Sequence, residues 1–112
     1  MELSPSLLSK KCVPCEGGAP PLSKEQVATY LNLISNWQVD ARGHLSRQFK
    51  FKNFLAAMEF VNKVAALAEK EGHHPDFTVH YNKVDFEIWT HAINGLSEND
   101  FILAAKIGAL AS

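Results

Sequence analysis

The sequence predicts an α+β domain of the order α-β-β-α-β-β-α, a four-stranded antiparallel sheet with three helices on one face. Three observations carry this reading. Helix-start signals recur at Ser23 (Ser-Lys-Glu-Gln) and Ser97 (Ser-Glu-Asn-Asp). The segments 45–51 and 76–91 alternate apolar and polar residues with the period of a strand. Between them runs a long stretch of helical periodicity, closed by Gly72 and Pro75. Hairpins framed by helices favour an antiparallel sheet with the helices gathered on one side. A chain of 112 residues, 46% hydrophobic and 21% charged, is one domain with enough apolar surface for one modest core.

Residues 1–22 hold four of the five prolines, both cysteines and Gly17-Gly18, with no aromatic residue. They read as an extended N-terminal arm, and 23–112 as the folded domain. Val27, Tyr30, Leu31 and Ile34 then predict a helix over about 24–35. Trp37, Val39 and the turn Asp40-Ala41-Arg42-Gly43 open a first hairpin whose second strand is Leu45–Phe51. Asn53 caps a second helix with the stripe Phe54, Ala57, Met58, Val61, Val64, Ala65 and Ala68. In the second hairpin, Phe77, Val79 and Tyr81 share one face, and Val84, Phe86 and Ile88 share one after a turn at Asn82-Lys83. The final helix carries Phe101, Ala104, Ala105 and Gly108.

The formal net charge of -1 leaves no basic excess of the kind a general nucleic-acid binder carries. No stretch reaches the roughly 18 apolar residues of a membrane span, and no signal-peptide h-region is visible. Two cysteines cannot make a disulfide framework. The expectation is a cytoplasmic protein, with nucleus or organelle open if a transit peptide has been removed. Cys12-Val13-Pro14-Cys15 is half of a zinc-ribbon pattern. It lacks a second pair in the chain, so it binds nothing, shares an intersubunit metal, or works as a redox pair.

Chemistry concentrates in the histidines. His73 and His74 follow a helix end, where unpaired carbonyls favour a protonated imidazole. A two-residue turn at Asn82-Lys83 pairs Tyr81 with Val84 and Phe77 with Ile88, and extended to its open end it sets His74 opposite His91. Directly opposed Cβ atoms lie about 4.5–5.5 Å apart, so three imidazoles should converge beside the helix end. Glu69, one helical turn before His73, would orient an imidazole there. A proton available at neutral pH from a fixed position is what a general acid requires. The plainer alternative is that the pair only satisfies helix-end carbonyls; a zinc site is awkward, since adjacent histidines on extended chain point apart. Asp100, at the third position of the last helix, reads as its capping carboxylate. Trp89, on the strand face of His91, is core, interface, or a stacking wall for a flat ligand.

The stretches Glu69-Lys70-Glu71-Gly72-His73-His74-Pro75, Tyr81-Asn82-Lys83-Val84, Thr90-His91 and Gly95-Leu96-Ser97-Glu98-Asn99-Asp100 resemble the pterin-4a-carbinolamine dehydratase family over about residues 23–112. The cysteine-bearing arm resembles an extension found in some members. The resemblance implies a saddle-shaped α+β subunit that forms homodimers or homotetramers. It further implies dehydration of 4a-hydroxytetrahydrobiopterin to quinonoid dihydrobiopterin, recycling the tetrahydropterin of aromatic amino acid hydroxylases, with no metal or redox cofactor. Carried over by position, His73 and His91 donate protons, and His74 mainly binds substrate. Glu69, Asp76, Phe77, Trp89, Thr90 and Asp100 line the pocket. Gly72 and Phe77 depart from the family pattern. The alternative is a protein-interaction or assembly module, of the transcription-factor dimerisation or RuBisCO assembly type, using the second helix and the oligomer interface rather than the histidines.

Overall fold

The computed structural model describes residues 4–10 and 20–111. Its elements are helix α1 (Ser4–Ser9), α2 (Lys24–Leu31), strands β1 (Gln38–Val39) and β2 (Leu45–Lys50), α3 (Phe54–Glu71), β3 (Asp76–His80), β4 (Lys83–Ile88), a 3-10 turn (His91–Ile93) and α4 (Glu98–Leu110). The strands form one antiparallel sheet in the order β1-β2-β4-β3. The α+β architecture is the one the sequence predicts, with one helix added at the N-terminus.

Alternation sets the faces of the sheet. Leu45, Phe49, Val84, Phe86 and Ile88 are buried against Phe60, Val64, Phe101, Leu103 and Ile107 of the helices. In the same register Ser46, Gln48, Asp85 and Glu87 fall on the opposite, polar face. Both capping signals are used: Ser23 and Gln26 bond reciprocally at the start of α2, and Asp100 accepts from the Ser97 N–H at the start of α4. Asn53 caps α3, and Gly72 ends it in a left-handed conformation (φ 67°) that lets its own N–H and that of His73 close on the Ala68 carbonyl. No helix among the described residues is long and apolar enough to cross a membrane.

Three expectations are corrected. The arm is not extended throughout: Ser4–Ser9 are helical, because Leu7 (2% exposed) enters the core and Lys10 bonds Glu98 at 2.6 Å. Tertiary packing holds so short a helix, since its own propensity would not. Cys12 and Cys15 lie outside the described residues. The buried stripe of α3 is Ala57, Phe60, Val61, Val64 and Ala68, while Phe54 and Ala65 face outward. The second hairpin turns at Tyr81-Asn82, not Asn82-Lys83, so Val79 pairs Val84 and Phe77 pairs Phe86. Asn82 explains this: its side chain donates to the Phe51 carbonyl and its own carbonyl accepts from the Phe51 N–H, both at 2.8 Å. That clamp places Tyr81 at positive φ (56°), an uncommon conformation for an aromatic residue. In the sheet β2 and β4 are interior, and β1 and β3 form its two edges.

Candidate active site

His73 follows the left-handed turn at Gly72, which redirects the chain off α3 toward α4. A part-buried ion pair, Lys106 Nζ to Glu71 Oε2 at 2.7 Å, ties the end of α3 to α4. His73 Nε2 meets Asp100 Oδ1 at 2.6 Å, with Asp100 fully buried and the His73 side chain 15% exposed. Facing a carboxylate, that nitrogen is the donor, which leaves Nδ1 as the atom free to exchange a proton. The other oxygen of Asp100 accepts from the Thr90 hydroxyl and from the Ser97 N–H, each at 2.8 Å. Thr90 Oγ1 also lies 2.8 Å from Ser97 Oγ. A capping carboxylate thus keeps one oxygen for the helix and spends the other on an imidazole.

Thr90 precedes His91 directly, so Asp100 connects the two histidines through one hydroxyl and one residue of backbone. Thr90 and Gly95 form an isolated bridge, with Thr90 N–H on Gly95 O at 2.8 Å, which closes the loop carrying the 3-10 turn. His91 opens that turn and is solvent-exposed. It does not face His74 across a strand pair, because β4 ends at Ile88 and β3 begins only at Asp76. Its ring stacks instead on Trp89, with centroids 4.1 Å apart.

His74 points away from its neighbour, as adjacent residues on extended chain do, and its Nε2 meets Glu69 Oε2 at 2.7 Å. Glu69 therefore serves His74 rather than His73, since the turn at Gly72 carries His73 off the helix face. Asp76 and Phe77 sit on the edge strand β3; Phe77 is 41% exposed and its ring leans on Phe86. Trp89 cannot offer a face to a flat ligand, because His44 covers the other side at 4.0 Å and 3° between planes. Among the described residues both faces of the indole are covered by imidazoles, and the side chain is part-buried.

Sequence reading missed His44 and Glu87. His44 Nδ1 meets Glu87 Oε2 at 2.5 Å, and Arg42 reaches Glu87 Oε1 at 3.4 Å. Asp40, His44 and Glu87 bring ligand-type atoms within 4.8 Å of one another. Each is already engaged, however: Asp40 Oδ1 accepts from the N–H groups of Arg42 and His44. Burial pushes the Asp40 carboxyl up, but those N–H bonds, together with the electrostatic pull of the His44 and Arg42 side chains, hold the group below its ordinary value. The signal that could have found the cluster is the β2–β4 register, which no local pattern encodes.

The pterin 4 alpha carbinolamine dehydratase family matches residues 20–110 of this chain. The chain belongs to that family. Among its relatives, a protein of Rickettsia canadensis named "Putative pterin-4-alpha-carbinolamine dehydratase" is 55% identical over 90% of this chain and 94% of its own length. One of the same name from Alkaliphilus metalliredigens is 48% identical over 91% of this chain and 93% of its own. Among solved structures, a transcriptional coactivator/pterin dehydratase from Brucella melitensis superposes with a TM-score of 0.78 at 39% identity, over 82% of this chain and 99% of that one. Within the dehydratase family, the matched span holds every described site residue named above.

Proposed function

We propose that the chain dehydrates 4a-hydroxytetrahydropterin to quinonoid dihydropterin, with His73 and His91 as the proton-transferring groups and His74 binding substrate. The observation that carries this is the buried Asp100 carboxylate, shared between His73 and the Thr90 hydroxyl next to His91. Hydroxide is a poor leaving group. Protonated by an imidazolium, the 4a oxygen departs as water while the N5 lone pair forms the C4a–N5 double bond. A ring N–H then gives its proton to a neutral imidazole, so the proton count closes and nothing is oxidised or reduced. Asp100 fixes the tautomer and orientation of His73, which is what acid–base work from a side chain demands. Glu69, Asp76, Phe77 and Trp89 belong to the same reading as the surroundings of the substrate. So does assembly into dimers or tetramers, for which the free outer edge of β3 is the supporting feature.

The test is stopped-flow dehydration of freshly generated 4a-hydroxytetrahydropterin. Wild type should accelerate it, and His73→Ala and His91→Ala should each lower kcat by about tenfold to a hundredfold. A folded wild type that gives no acceleration would sink the reading and favour the protein-interaction alternative.

A further inference from the structure

Trp89 is held between two imidazoles. On one side His91 lies 4.1 Å away at 20°; on the other His44 lies 4.0 Å away at 3°. His44 is itself fixed: its side chain is 12% exposed, and Nδ1 is bonded to Glu87 on β4. The column therefore runs from a carboxylate on a central strand, through imidazole and indole, to the exposed imidazole of His91. Among the described residues the His91 ring makes no hydrogen bond, so the indole face is what restrains it. An exposed side chain on a 3-10 turn would otherwise sample several staggered rotamers.

We infer that His44 and Glu87 are positioning residues for His91, acting through Trp89. This rests on the reading above that His91 transfers a proton. A general acid gains from being held where the reacting atom will be, and a small misplacement costs rate without weakening substrate binding to the same degree. Removing His44 uncovers one face of Trp89. The indole can then rotate, and His91 loses the flat wall that selects its rotamer. Glu87 acts one step further out by fixing the plane of His44.

The experiment compares wild type, His44→Ala, His44→Phe and Glu87→Ala by two readouts. One is kcat and KM in the stopped-flow assay; the other is the position of the His91 Cε1–Hε1 resonance, which a stacked indole displaces by its ring current. His44→Ala should lower kcat by about fivefold to tenfold with KM within about twofold, as lost positioning does. Its His91 resonance should move toward that of a free histidine. His44→Phe keeps a flat ring and should restore both, whereas a purely electrostatic role would not be restored by phenylalanine. If His44→Ala fails to fold, Glu87→Ala carries the same comparison with smaller effects. An unchanged His91 resonance and unchanged kcat in a folded variant would overturn the inference, and so would a rise in KM alone. Should wild type prove inactive, the proposed reaction fails, while the His91 resonance still decides whether His44 positions that ring.

Discussion

His73 and His74 are neighbours in sequence, and each meets a carboxylate at almost the same distance, 2.6 and 2.7 Å. Everything else about the two pairs differs. Asp100 is fully buried and serves a hydroxyl and a backbone N–H besides the imidazole. Glu69 is 78% exposed and His74 59% exposed. Water competes for every bond of the outer pair, and such pairs contribute about 0–1 kcal/mol. The inner pair has no water to fall back on, so losing one partner strands the others. Bond length does not report what a histidine–carboxylate pair does; the surroundings decide it.

The sharpest way to break the comparison is Asp100→Ala. It strands the His73 Nε2–H and the Ser97 N–H and leaves the Thr90 hydroxyl only Ser97 Oγ to bond, at a cost of about 3–5 kcal/mol. Thermal unfolding should show a fall in Tm of at least about 10 °C. A shift under a few degrees would mean that the network is not the anchor of the loop. Thr90→Val removes one donor and keeps the shape. Its expected cost is about 1–2 kcal/mol by chemical denaturation, with kcat reduced severalfold because Asp100 is less firmly placed. Glu69→Gln sharpens the other side: stability within about 0.5 kcal/mol of wild type and an unchanged kcat, with any effect confined to KM. A large loss of stability there would erase the distinction between the two pairs.

Local chemistry was legible in the sequence where a residue acts on its own neighbourhood. The capping signals at Ser23 and Ser97, the stop at Gly72, and the outward turn of His74 relative to His73 all follow from residues within a few positions of one another. The role of Asp100 was half legible: the capping spacing shows one oxygen at work, whereas the bond to His73 spans 27 positions. The hairpin register went wrong because Asn82 is held by Phe51 across the sheet, a contact that outweighs the ordinary preference against Tyr81 at positive φ. The first helix escaped notice because Leu7 and Leu8 stand among prolines and serines, and only the core that Leu7 reaches makes the segment helical. Glu69 was assigned to the wrong histidine for a geometric reason: counting by helical turns ceases to apply once Gly72 leaves the helix.

The sheet order carries a consequence for how the protein acquires its chemistry. β2 is wedged beside β4, not beside its sequence neighbour β3, so residues 45–50 wait for 83–88 before the centre of the sheet exists. Such non-local pairing slows folding, because loop closure comes before the reward. The bond from His73 to Asp100 further requires α4 docked beside the end of α3, which Lys106 ties to it. On the proposed reading, recovery of dehydration on refolding should lag behind formation of the sheet, and a chain lacking α4 should show none.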